Sequence, residues 1–240
     1  YNRLTKLRVD CSQLNGLGVI LYQQHQKQWH PVACASRFLS TAEKNYHNIE
    51  IEMLAITWGI EKMKMYLYGL QHFIVESDHK PLVPIINSKT LSDLSPRLQK
   101  LRMRLLKYNF TVQYVKGSDM IDADALSRNP ASKPSKNDEL AEIEIENHIS
   151  QIIEMLPASN KKINEIVEET RKDTNLQELI QIMKSGWPNN KNNLKATLKQ
   201  FWNYKDDLTE HNGLILKGQC ILIPEIMRRE ILNRLHEGHQ

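Results

Sequence analysis

The chain has 240 residues, 32 Lys+Arg against 28 Asp+Glu, and three cysteines. No apolar run is long enough to cross a membrane and no secretory leader is visible, so a membrane-embedded or exported protein is not the expectation. Cys11, Cys34 and Cys220 have neither metal-ligand spacing nor an even count, which argues against a disulfide framework and for reduced thiols inside a cell.

The elements read in order as follows. Residues 5–11, 16–24 and 29–36 read as three strands, joined by connections short enough for antiparallel pairing. Ser40 and Glu43 have capping-box spacing, and Ile49, Met53, Ile56 and Ile60 recur at helical intervals, so a helix is expected from Ser40 to about Tyr68, with Gly69 as its stop. Residues 72–77 are a fourth strand. Pro81 and Pro84 break regularity. A second helix starts near Pro96, with Leu98, Leu101, Leu105 and Leu106 as its apolar face. Residues 110–115 are a fifth strand and 122–127 a short helix. This order predicts an α/β domain over 1–130, a mixed five-stranded sheet with flanking helices. Residues 129–138 form a linker rich in Pro, Ser and Lys, and short helices are expected over 139–156, 163–171, 176–183 and 194–204. A hairpin over 213–224, turning at Lys217-Gly218, precedes a helix over 228–236.

Charge follows the same division. Residues 1–130 carry 17 basic and 11 acidic residues, net +6; residues 131–240 carry 15 and 17, net −2. A positive half that holds an acidic cluster suits a nucleic-acid binder with a metal site. The cluster is Asp10 and Asp78 at strand ends, and Glu52 and Asp124 within helical patterns. Carboxylates gathered from separate elements stay ionised together only when cations neutralise them. Hard divalent cations take oxygen ligands, and two such ions about 4 Å apart cut phosphodiesters. The residues themselves therefore suggest a metal-dependent nuclease. Glu50 lies on another side of its helix from Glu52, about 200° round at about 100° per residue. Five of the eleven residues from Arg97 to Lys107 are basic, and Lys100, Arg104 and Lys107 share one side. They are candidates for phosphate contacts, the alternative being a solvated helix face.

The run from Leu7 to Arg128 closely resembles the RNase H domain of gypsy-type LTR retrotransposon Pol polyproteins. The segments that carry this are Asp10-Cys11-Ser12, Gly16-Leu17-Gly18-Val19-Ile20-Leu21, Glu50-Ile51-Glu52-Met53-Leu54-Ala55-Ile56, Tyr66-Leu67-Tyr68-Gly69, Ser77-Asp78-His79-Lys80-Pro81-Leu82 and Ala123-Asp124-Ala125-Leu126-Ser127-Arg128. The resemblance implies an RNase H-like fold and a ribonuclease using two Mg²⁺ ions, with Mn²⁺ able to substitute, on the RNA strand of RNA·DNA hybrids. It implies Asp10 as the bridging ligand, Glu52 and Asp78 on the leaving-group side and Asp124 on the water side. It also implies reverse transcriptase and integrase portions of the same polyprotein as partners, in a cytoplasmic virus-like particle or the nucleus. The alternative is a decayed or domesticated copy that acts only as a structural or nucleic-acid-binding connector.

Departures from the pattern are Cys11 for a small residue, Ser77 for Thr, Met120 for Asn and Asp122 for an apolar residue. Asp122 either disturbs the metal site or points away from it. Residues 117–122 also lack the His that cellular relatives carry there. Residues 208–240 resemble the start of a retroelement integrase, whose zinc-binding domain pairs two His with a later Cys pair. His236 and His239 match the former only, so Zn²⁺ is expected only if the chain were extended. Residues 131–207 read as a linker and helical connector, and the chain as a piece of something longer.

Overall fold

The structure, a computed structural model, describes residues 3–237, with side chains described through Asn233. Three strands open the chain: β1 (Thr5–Ser12), β2 (Gly16–His25) and β3 (Gln28–Phe38). They pair antiparallel, as short turns require. β4 (Phe73–Ser77) joins β1 in parallel, and β5 (Phe110–Tyr114) joins β4 in parallel, giving the order β3-β2-β1-β4-β5. The expected mixed five-stranded sheet of an α/β fold is present.

The first helical region is broken where one helix was expected. Ser40 and Glu43 do form their reciprocal capping bonds, but these close a single 3₁₀ turn. The long helix α1 (Asn48–Lys62) has its own cap at His47, whose amide donates to Glu50 Oε2 at 3.0 Å. Met63 interrupts it before α2 (Lys64–Leu67), and Gly69 follows at φ +85°. A helix that the prolines seemed to forbid, α3 (Leu82–Asn87), runs through Pro84 near its first turn, where no intrahelical amide bond is lost. α4 (Pro96–Leu105) and α5 (Ile121–Arg128) complete this half. Leu98, Leu101 and Leu105 are buried, whereas Leu106 lies beyond the helix and is exposed.

Beyond the sheet, residues 131–132 run beside the end of β3. The Phe38 amide donates to the Ser132 carbonyl at 2.8 Å, and the Ser132 hydroxyl to the Ser36 carbonyl at 2.7 Å. Four helices continue the chain: α6 (Lys136–Glu154), α7 (Asn160–Lys172), α8 (Thr174–Ser185) and, at the end, α9 (Glu225–Glu237). The helix expected over 194–204 is a kinked 3₁₀ segment, Ala196–Asp207. The expected hairpin, β7 (Leu214–Lys217) with β8 (Cys220–Ile221), gains a third strand, β6 (Leu208–His211), paired antiparallel to β7. This half does not trail away from the sheet domain. Ile145 and Ile149 of α6 and Leu216 of β7 belong to the same apolar core as Leu7, Val9, Ile56 and Val75. A second core gathers Leu176, Leu179, Leu198 and Phe201.

Candidate active site

Parallel pairing sets Lys6 opposite Ile74 and Arg8 opposite Glu76; the same register continued puts Asp10 beside Asp78. Both carboxylates thus lie at the carboxyl ends of neighbouring central strands, where α/β sheets bind ligands. Glu52 reaches them from the buried side of α1. Asp124 arrives on α5, which lies across β1 and β2 with Ala123 and Ser127 facing inward, both fully buried. Gly18, directly opposite Asp10, permits that approach: a Cβ there would meet the Ala123 carbonyl and the Ser127 amide at 2.7 Å each. All four expected carboxylates therefore converge on one end of the sheet.

Their electrostatics reflect that convergence. Burial first, then the Asp78 and Asp124 charges, push Asp10 up to about 6, against a hydrogen bond from the Ser127 hydroxyl that favours its ionised form. Burial, then the Asp78 and Asp10 charges, push Glu52 well above the carboxylate range. Glu52 Oε2 is buried with no hydrogen-bond partner. Asp78 is raised too, by burial and by Asp124. The donors are all hard carboxylate oxygens, the kind that divalent cations take, and one of them, the buried Glu52 Oε2, has no hydrogen-bond partner. Among the described residues, however, no group of three or more His, Cys, Asp or Glu side chains is closed up enough to hold a metal ion as it stands. Two of the four carboxylates have side-chain partners. The Ser127 hydroxyl donates to Asp10, and Arg128 Nε donates to Asp124 Oδ1 at 2.7 Å.

Four neighbours of the site were given no role from sequence, although Cys11 was noted as a departure. Ser127 and Arg128 lie in the same segment as Asp124. Cys11, beside Glu52, has its thiol pushed up, chiefly by burial. His79 Nδ1 is 3.8 Å from Glu52 Oε1, and burial lowers that imidazole to about 4, so it stands neutral at pH 7. Spacing alone carries no sign of these contacts, because each depends on how strands and helices pack. Asp122 is occupied elsewhere: it accepts from Arg8 Nη1 at 3.0 Å and from the Tyr22 hydroxyl. The charges that act most on Asp10 are those of Asp78, Asp124 and Arg128, while Asp122 is engaged by Arg8 and Tyr22.

The basic helix is less available than its sequence suggested. Arg97 is buried and donates to Glu50 and Glu146. Arg104 makes two bonds to Glu61, at 2.9 and 2.7 Å. Lys100 lies 3.7 Å from Glu144 of α6. Lys107 is exposed, its ammonium 5.5 Å from the Tyr108 ring. α6 covers this face with acidic residues, and its composition gave no hint of where it docks. The side chain of His236 and all of His239 lie outside the described residues.

The family profile described as the RNase H-like domain found in reverse transcriptase matches residues 1–108. The retrovirus-related Pol polyprotein from transposon 412 of Drosophila melanogaster is 42% identical over 46% of this chain and 9% of its own length, and that from transposon gypsy of the same organism is 31% identical over 51% and 11%. The Tf2-3 polyprotein of Schizosaccharomyces pombe is 27% identical over 99% of this chain and 16% of its own length. This chain thus spans roughly a tenth to a sixth of these relatives. Among solved structures, RNase H1 from Halobacterium salinarum aligns with a TM-score of 0.37 at 16% identity, covering 52% of this chain and 92% of that one. Residues 1–108 therefore match the RNase H-like domain found in reverse transcriptase, and about half of the chain is similar to retrotransposon Pol polyproteins, that of gypsy among them.

Proposed function

We propose that the sheet domain is a divalent-cation-dependent endonuclease that hydrolyses the RNA strand of RNA·DNA hybrids during reverse transcription. The observation that carries this reading is the mutually repelling set of buried Asp10 and Glu52 with the partly exposed Asp78 and Asp124, in which one Glu52 oxygen is unmatched. Those four residues would hold two Mg²⁺ ions, or Mn²⁺ in their place. Bound ions would supply charge neutralisation and a water that is nucleophilic at neutral pH. The chain's own contribution is placement. Two adjacent strands fix Asp10 and Asp78, a buried helix presents Glu52, and Ser127 orients Asp10. Asp124 is held by an exposed i,i+4 pair with Arg128, a solvent-screened contact that a cation could readily replace. Hybrid geometry and the 2′-hydroxyls would choose the RNA strand. Of the three candidate phosphate contacts, Lys107 fits best, since Lys100 and Arg104 face carboxylates.

In the same reading, residues 131–207 connect the nuclease to an integrase, whose zinc-binding domain starts over 208–240. Reverse transcriptase and integrase portions of one polyprotein are the partners, inside the cell. Among the described residues no helix is long and apolar enough to cross a membrane.

Asp10→Asn tests the nuclease. Cleavage of a labelled hybrid in Mg²⁺ should vanish, while metal-free thermal stability at pH 7 should hold or rise. The sign follows from the raised value: above about 6 the ionised Asp10 burdens the fold, and amide replacement removes that burden. Wild-type protein that leaves the hybrid uncut, or a variant that still cuts it, would reject the reading.

A further inference from the structure

A cavity of about 540 Å³ opens beside the carboxylates, and half of its wall is not nuclease. On one side are Asp78, His79, Lys80 and Tyr114, from the ends of β4 and β5. On the other are Trp187, Asn189 and Lys205, from the segment between α8 and β6. Asp78 is the member of the acidic set that lines it.

This far wall is held firmly. Gln13, three residues after Asp10, donates to the Lys184 carbonyl, and Lys89 pairs with Asp207. The Thr209 hydroxyl donates to the buried Glu50 at 2.7 Å. Trp187 meets Trp202 edge to face at 6.2 Å, and the Lys205 ammonium stands 4.0 Å from the Trp202 ring. Packing against the second core accounts for one side of Trp187, and its other side is left to the cavity. Tyr114 across the gap is 48% exposed. Aromatic rings interleaved with lysines are the chemistry of single-stranded nucleic acid binding: bases stack, and cations meet phosphates. A volume of this size lies within the range of small-ligand sites and is far too small to admit a duplex.

We propose that residues 183–208 form a subsite for an unpaired nucleotide of the RNA strand next to the position cut at Asp78. A base would stack on Trp187 or Tyr114, and its phosphate would lie near Lys80 and Lys205. The connector would then be part of the substrate-binding surface. This rests on the nuclease reading for the identity of the strand.

The test compares two fluorescein-labelled RNA·DNA hybrids, one blunt and one with a short RNA overhang, by anisotropy in EDTA so that nothing is cut. The 240-residue chain should bind the overhanging hybrid on the order of tenfold more tightly than the blunt one. Trp187→Ala should bring that ratio close to one, Lys205→Gln should lower it, and Trp187→Phe should keep most of it. If circular dichroism shows Trp187→Ala misfolded, Lys205→Gln decides. A wild-type ratio of one, or a ratio that both substitutions leave intact, overturns the subsite. Cleavage of the blunt hybrid in Mg²⁺ is scored separately, so failure of the subsite and failure of the nuclease reading give different results.

Discussion

Arg97 of α4 donates to Glu50 of α1 across a fully buried contact of 3.0 Å, two residues along the helix from the carboxylate assigned to the active site. Glu50 and Glu52 thus do opposite work. Arg97, the Thr209 hydroxyl and the His47 amide hold Glu50 ionised, its carboxyl kept below the usual range despite burial. Glu52 has no cationic partner and is driven toward the neutral form. Arg97 also reaches Glu146 of α6, which accepts from His211 of β6. One ionic network therefore joins the sheet domain to the connector.

Arg97→Ala should cost about 3–5 kcal/mol, the usual penalty for leaving a buried charge without its partner. Urea unfolding at neutral pH measures it. A loss below about 1 kcal/mol would mean that water reaches Glu50 in the native state.

The same network predicts acid sensitivity. His211 first, then Arg97, hold Glu146 down to about 2 from an ordinary value of 4.5. A lowered carboxylate contributes stability above its unfolded value, and that stability is lost as pH falls from 4.5 toward 2. Burial also keeps His47 below its ordinary 6.5, and Lys184 and Arg97 disfavour its charge while Glu50 and Glu210 favour it. This adds destabilisation as pH falls below 6.5. Glu146 is a third exposed, so screening trims its part. Thermal melts of the wild type and Glu146→Gln between pH 5 and pH 2.5 should converge as acid is added. Parallel curves would remove Glu146 from the network.

The sheet domain was legible because its signals are local. Alternating strands and short turns predicted the antiparallel pairing of the first three strands and the mixed five-stranded sheet, and the motif around each carboxylate singled out Asp10, Glu52, Asp78 and Asp124 as candidates. Illegible features depended on distant partners. Ser40 and Glu43 formed their box as expected, yet on a turn that Arg37 claims through a bidentate pair with Glu43. Glu50 and Arg97 look like surface charges until their helices are packed together. Residues 131–207 read only as a linker and helical connector, but Ile145, Ile149 and Ile152 are buried, because the apolar stripe of α6 has the sheet domain to lie on.

Gly18 is the contact that seats α5. Gly18→Ala puts a methyl group 2.7 Å from two backbone atoms of that helix, which must move away and take Asp124 and Ser127 with it. The expected result is a loss of about 1–3 kcal/mol from overpacking, together with loss of most hybrid cleavage. Gly69→Ala is the control: at φ +85° it strains the backbone by roughly 1 kcal/mol, but no atom lies within 4 Å and the site is untouched. Comparable loss of cleavage in both variants would mean that stability, not the position of α5, limits activity.

Cutting the chain short separates connection from support. Ile145 of α6 lies with Leu54, Trp58 and Leu101 in the gap between α1 and α4, and Ile149 continues into the same core. Burying two isoleucines contributes roughly 3–6 kcal/mol at about 1.5–3 kcal/mol each. A chain ending at Pro130 should therefore be less stable than the 240-residue chain by several kcal/mol in urea and should bind an apolar dye. A chain ending at Leu156, which keeps α6, should recover most of that difference. It should not recover the part that Leu216 and the Glu50–Thr209 bond supply from β6 and β7. Protease cleavage within 131–136 should leave the two pieces associated on size exclusion, since α6 is held by side chains and not by the linker. If the chain ending at Pro130 unfolds at the same urea midpoint as the full chain, then α6 only rests on the sheet domain and contributes nothing to its stability.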